Sequence, residues 1–109
     1  MKLNMQFDGQ TQYVGIDGEL DHHNVTSIRN SVDDAIYVNR PKSLCIDFKK
    51  VSFMDSSGVG FIMGRYKKLS QTGGSVNLMG VSEKTAEIFK MSGISKYVNM
   101  NDEEKKNEE

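Results

Sequence analysis

A second cysteine is missing from this 109-residue chain, so Cys45 has no partner for an internal disulfide. That agrees with a reducing compartment, where thiols stay free. Cys45 lies in Ser43-Leu44-Cys45-Ile46-Asp47-Phe48, among strand-forming residues, and reads as a small core residue. A reactive thiol needs an activating neighbour, and none adjoins it in sequence. Long apolar runs are missing too: no stretch approaches the roughly 18 to 20 residues of a membrane span. The start, Met1 to Asp8, has no continuous apolar segment of the kind a signal peptide carries. The expected location is therefore the cytoplasm.

Charge of one sign is equally scarce. The net charge is −1, but the segment from Asn101 to Glu109 holds five acidic and two basic residues and carries −3, which leaves the rest of the chain at +2. So mild an excess cannot make the phosphate-tracking surface of a nucleic-acid binder. With membrane and nucleic acid set aside, the expected partner is a protein.

What is present suits one small soluble domain: 37% hydrophobic and 27% charged residues in a length that supports a single core. We expect a folded domain over residues 1–100 and a charged, mobile tail over 101–109, which has no apolar residue to bury. Leu3 to Phe7 and Thr11 to Asp17 read as two strands around a turn at Asp8-Gly9-Gln10, with Val14 and Ile16 on one face. Gly18-Glu19-Leu20-Asp21 leads out of the second strand. From Asn24 the period changes, and Val25, Ile28, Val32 and Ile36 recur at helical spacing. Pro41, the only proline, stops that helix near Arg40. Leu44, Ile46 and Phe48 alternate as a strand. A second helix follows Asp55, with Val59, Ile62, Tyr66 and Leu69 as its stripe, Met63 flanking it and Gly73-Gly74 at its end. Ser75 to Met79 reads as a strand. Ser82 caps a third helix, with Ala86 and Phe89 inward and Ile88 and Met91 flanking. Gly93 ends that helix, and Tyr97 to Met100 completes the order β-β-α-β-α-β-α-β. Strands separated by helices need crossover connections, which favours right-handed parallel units. The expected class is α/β, a mostly parallel four- to five-stranded sheet with helices packed against it.

Asp55-Ser56-Ser57-Gly58 stands where the second helix opens. Asp and Ser are favoured N-caps, and a cap is worth about 0.5–2 kcal/mol against Ala. Only one cap is needed, however, and Gly58 and Gly60 in the first turns each cost roughly 1 kcal/mol relative to Ala. Glycines there are tolerable if a partner must approach the backbone closely. The place also suits a phosphoryl group, because a helix N-terminus offers unpaired N–H donors and the positive end of the dipole.

The run Val51-Ser52-Phe53-Met54-Asp55-Ser56-Ser57-Gly58-Val59-Gly60 closely resembles the phosphorylation segment of STAS-domain anti-sigma-factor antagonists. Met63-Gly64-Arg65-Tyr66-Lys67 is similar to the sporulation branch, the anti-sigma F factor antagonists. Gly18-Glu19-Leu20-Asp21-His22-His23 and Met91-Ser92-Gly93-Ile94 agree with it, so the resemblance covers roughly Phe7 to Val98. It implies a STAS fold and an anti-anti-sigma factor rather than an enzyme, with no catalytic residue, cofactor or metal ion. The unphosphorylated protein would bind an anti-sigma factor that is also a serine kinase and so release the sigma factor. Phosphorylation at the serine after the motif aspartate, Ser56 here, would switch binding off, and a serine phosphatase would restore it. By the same mapping the partner-binding set is Asp21, Asp55, Ser56, Ser57 and Gly58. The chain departs from that branch at its end: Asp102 to Glu109 has no apolar residue with which to form a fourth packed helix.

Other readings fit less well. The nucleophile elbow of a serine hydrolase needs glycine two positions either side of the serine, and Met54 and Asp55 stand there instead. Gly58-Val59-Gly60-Phe61-Ile62-Met63 lacks the last glycine of the dinucleotide fingerprint, although a STAS-type interaction module or a weak nucleotide-binding module in another signalling pathway stays as the alternative. His22-His23 has no completing ligand cluster for a metal and is expected to be solvated or to help start the first helix. Met63 and Met91 are expected to fill gaps at the core.

Overall fold

The elements run β1 (Lys2–Phe7), β2 (Thr11–Leu20), α1 (Val25–Asn39), β3 (Ser43–Asp47), β4 (Val51–Met54), α2 (Ser56–Ser70), β5 (Ser75–Met79), α3 (Glu83–Ser92), a 3-10 turn (Ile94–Lys96) and β6 (Asn99–Met100). They are seen in a computed structural model that describes residues 1–100; the expected tail at 101–109 and the question of a fourth helix lie outside the described residues.

The first hairpin forms where the sequence places it because Asp8 closes the turn, its Oδ1 accepting from the N–H groups of Gln10 at 3.0 Å and Thr11 at 2.8 Å. The Thr11 bond, then that of Gln10, holds the Asp8 carboxyl below its ordinary pKa. β1 then pairs antiparallel with β2, Leu3 opposite Ile16 and Met5 opposite Val14. The remaining pairings, β2 with β3, β3 with β5 and β5 with β6, are parallel and give the order β1-β2-β3-β5-β6. This is the expected mostly parallel α/β sheet, with one strand more than expected.

The added strand is β4, which pairs parallel with the end of β2, Gly18 opposite Val51 and Leu20 opposite Met54. β2 is therefore longer than its apolar alternation indicated: it continues through Gly18-Glu19-Leu20 instead of leaving the sheet. The step between its two partners falls at Gly18, whose N–H donates to the Lys50 carbonyl at 3.0 Å. There φ is +132°, and a Cβ would stand 3.1 Å from the Met1 Cα, so only glycine fits without strain. β4 escapes a reading by alternation because it is short and only Met54 in it is buried.

Val14, Ile16, Leu20, Leu44, Ile46, Val76 and Leu78 project from the sheet into one core, with Ile28 and Val32 of α1 and Ile62 and Leu69 of α2. α1 buries the expected stripe, Val25 and Ile36 lying partly exposed at its ends. The buried face of α2 is rotated from the expected one: Gly58, Phe61, Ile62, Arg65 and Leu69 are inward, while Val59 and Tyr66 are half-buried. A charged residue occupies that face because α1 answers it. Arg65 Nε lies 3.1 Å from Asp33 Oδ1, and the guanidinium sits 5.1 Å from the centre of the Phe61 ring. Tyr66 instead leans on Tyr97, with ring centres 5.4 Å apart.

Ser82 caps α3 as expected, its Oγ accepting from the Thr85 N–H at 3.2 Å. Phe89 packs edge-on against Phe48 at 5.6 Å. Met91 is a correction: it is 82% exposed and fills no gap, because the helix ends one residue later and its last turn faces outward there. Tyr97 is likewise outside, and β6 is confined to Asn99 and Met100.

Cys45 is buried, its thiol donating to Met79 Sδ at 2.9 Å. Burial, and next the Asp47 carboxylate, push its pKa up, which disfavours the nucleophilic thiolate. Alkylation by iodoacetamide is therefore expected to be slow in the native protein and fast in urea; equal rates would place the thiol at the surface.

Candidate functional site

Two loops meet at one end of the sheet. Leu20 and Met54 are paired at the C-terminal ends of the parallel strands β2 and β4, and the next residue of each strand is an aspartate, Asp21 and Asp55. From there the chain turns into α1 on one side and α2 on the other. Chain segments that leave the carboxyl ends of parallel strands commonly form the functional edge of an α/β sheet.

Asp55 is the N-cap of α2. Its backbone is extended, with φ −116° and ψ −170°, and its Oδ1 accepts from the Ser57 N–H at 2.8 Å. Its Oδ2 accepts from the His22 N–H at 3.2 Å, which ties the two loops together across the strand ends. Partial desolvation works to raise the Asp55 pKa. The N–H groups of Ser57 and His22, the Ser57 hydroxyl and the charge of His22 outweigh it and hold the carboxyl below its usual range. The cap is thus an ionised carboxylate, and capping falls to neither serine side chain. Ser56 is exposed at the first position of the helix, and Ser57 is half-buried beside it.

Asp21 is only 8% exposed. Its Oδ1 accepts from the Asn24 N–H at 3.0 Å and its carbonyl from the Val25 N–H at 2.9 Å, so it builds the turn that starts α1. Asn24 secures the same turn from outside, its Nδ2 donating to the Glu19 carbonyl at 3.0 Å. Asp21 therefore borders the site through the loop it shapes, with its carboxylate turned inward. His22 and His23 are exposed on that loop, their rings edge-to-face at 6.0 Å.

The expected reason for Gly58 is corrected. This residue is buried, and a Cβ there would lie 2.4 Å from Met54 Cγ and 3.1 Å from Leu20 Cγ. Glycine is required by the protein's own core, which presses the first turn of α2 onto the strand ends, and no partner could reach it. Gly60 differs: it is exposed, and outside its own turn of helix no described atom lies within 4 Å of where its Cβ would stand.

Asp55, Ser56, Ser57 and Gly58 were legible as one segment, and the structure brings Asp21 to them. The contact of His22 with Asp55 was not legible, since the two are 33 residues apart and no local pattern joins them. Away from this edge, an open basin of 190 Å³ lies among Asn4, Gly15, Asp17, Asp47, Lys49 and Lys50. Ligand pockets usually hold about 300–1,000 Å³, so the basin lends no weight to a nucleotide-binding module.

Comparison with known proteins agrees with this architecture. The STAS domain family model matches residues 2–107. The anti-sigma F factor antagonist of Paenibacillus polymyxa is 34% identical over 104 residues, spanning 95% of this chain and 89% of the relative. The structure of the anti-sigma factor antagonist SpoIIAA in its unphosphorylated form superposes with a TM-score of 0.76 at 30% identity, covering 98% of this chain and 96% of the other. That of the Bacillus cell fate determinant SpoIIAA in the phosphorylated form gives 0.73 at 30% identity, covering 98% and 97%. A six-stranded, mostly parallel sheet, helices packed against it, and a capped Asp-Ser-Ser-Gly turn at the strand ends all meet in one domain: the chain belongs to the STAS domain family.

Proposed function

We propose that this chain is an anti-anti-sigma factor that works by partner switching, with Ser56 as its phosphorylation site. The observation that carries the reading is the division of labour at the α2 N-terminus, where Asp55 caps the helix and leaves Ser56 exposed. A hydroxyl so placed is open to a kinase. The phosphate it would receive meets the unpaired N–H groups and positive dipole end of the first turn, so the fold can carry the modification. The relatives named as antagonists of anti-sigma factors, and a solved relative in a phosphorylated form, support the same reading.

In the unphosphorylated state the surface offered to an anti-sigma factor comprises Ser56, the edge of Ser57, the Asp55 cap and the loop shaped by Asp21. Gly58 seats that surface from within, and Gly60 extends it down α2. The partner is a serine kinase that uses ATP to modify Ser56, and a serine phosphatase returns the protein to its binding form. The domain has no catalytic role of its own in this cycle, which takes place in the cytoplasm. Among the described residues no helix is long and apolar enough to cross a membrane.

Incubation with a sporulation-type anti-sigma kinase and ATP, followed by fragment mass spectrometry, tests the assignment. Phosphate is expected on Ser56 alone. Modification of Ser57, or none, would remove the basis of the reading. Gly60 supplies a separate check. Gly60→Ala meets no neighbour and should raise stability by roughly 1 kcal/mol through helix propensity. Gly60→Tyr should fold yet bind the anti-sigma factor at least about tenfold more weakly in calorimetry, because a bulky side chain separates the surfaces. Unchanged affinity would place the interface off this face of α2.

A further inference from the structure

The histidine pair is the one feature of this edge that partner switching leaves without a task. His22 is fixed by its backbone, whose N–H donates to Asp55 Oδ2 at 3.2 Å. The loop beneath it is held by the Asp21 and Asn24 bonds, so His22 stands on a rigid base beside the residue that precedes Ser56. It is exposed, hence free to turn, and it is already close enough to attract the Asp55 carboxylate. A phosphate on Ser56 would bring a second and larger negative charge to the same spot.

We propose that His22 is the residue that answers the phosphate on Ser56, closing over it as an imidazolium and tying the modified helix start to the loop before α1. This rests on the Ser56 assignment above and adds a regulatory property to it. The charged groups next to His22 are Asp55 across the loop and His23 at 6.0 Å between ring centres, while Asp21 immediately before it turns its carboxylate inward. The Asp55 carboxylate leaves a phosphate on Ser56 facing a negative neighbour unless a histidine is protonated.

The sign follows. An anionic neighbour raises the pKa of an imidazole, and a cationic neighbour lowers the second pKa of a phosphate monoester. The pair therefore exists only in the pH window where the phosphate is a dianion and the imidazole is protonated. It is lost as pH rises through the histidine and as pH falls through the phosphate. In this window the modified serine is held as a dianion partly neutralised by its own protein. A phosphatase must then draw it out of that pairing, and mild alkalinity would release it.

The test uses the full chain with phosphoserine installed at position 56 during translation, so that it does not depend on any kinase. The phosphorus resonance is titrated with pH in the phosphoprotein and in its His22→Gln and His23→Gln variants, while the imidazole protons of His22 are followed with and without phosphate. The expected result is a phosphate midpoint about half a unit to one unit lower with His22 present than in His22→Gln, and a His22 midpoint raised by phosphorylation. Equal phosphate midpoints in wild type and His22→Gln would overturn the proposal. So would a His22 midpoint indifferent to phosphate, which needs no substitution to read, or a shift that follows His23. If a kinase modified another serine, the assignment of Ser56 would fall while this measurement stood on its own.

Discussion

Ser56→Asp is expected to weaken binding of the anti-sigma kinase by at least about a hundredfold while leaving the far-ultraviolet circular dichroism and the melting temperature near those of wild type. The two halves of this result have separate causes. Within the domain the new charge lies at the start of a helix, where N–H groups and the dipole favour it. At the interface, a partner that fits an uncharged hydroxyl must desolvate an anion already beside the Asp55 carboxylate. Burying an unanswered charge costs several kcal/mol, and each 1.4 kcal/mol weakens binding tenfold. Ser56→Ala should bind as wild type and refuse phosphate. Ser57→Ala should still be phosphorylated at Ser56, because the cap bond to Asp55 uses the Ser57 backbone N–H, which alanine keeps. Isothermal calorimetry of each variant against the kinase checks the set. Wild-type affinity in Ser56→Asp would refute the switch.

Gly58→Val should damage the fold itself. The added Cβ would stand 2.4 Å from Met54 Cγ, 2.7 Å from Met54 Sδ and 3.1 Å from Leu20 Cγ, so either the buried Met54 side chain is displaced or the first turn of α2 lifts from the paired ends of β2 and β4. Overpacking a filled core costs about 1–3 kcal/mol, and a β-branched residue with its Cβ already in collision belongs at the upper end. For a domain of this size that corresponds to a fall in melting temperature of roughly 10 °C or more. Asp55 and Ser56 sit on the same turn, so affinity for the kinase should fall together with stability. A Gly58→Val protein that melts like wild type would show that the strand ends yield more easily than their packing implies.

The contrast between Gly58 and Gly60 shows where local reading reached its limit. Both were visible as costly glycines in a helix, and both invited an explanation by a close partner. Only packing separates them, because Gly58 is pressed against Leu20, a residue 38 positions away in the chain, and Gly60 meets open space. Arg65 makes the same point from inside the core. By character it belongs on the solvent face, and it is buried because Asp33 of another helix lies 3.1 Å away.

Local patterns settled the element order apart from β4, the stripe of α1, the cap at Ser82 and the place of the Asp-Ser-Ser-Gly turn, since each depends on residues within a few positions of one another. The parallel sheet followed from strands separated by helices. It took the folded chain to extend β2 through Gly18, to add β4 along it, and thereby to set Asp21 and Asp55 side by side. The bond of His22 to Asp55, the inward carboxylate of Asp21 and the buried charge of Arg65 all come from that pairing or from the α1–α2 contact. Such features join residues far apart in sequence, and their free energy lies in close packing and paired charge, which no local pattern of residues encodes.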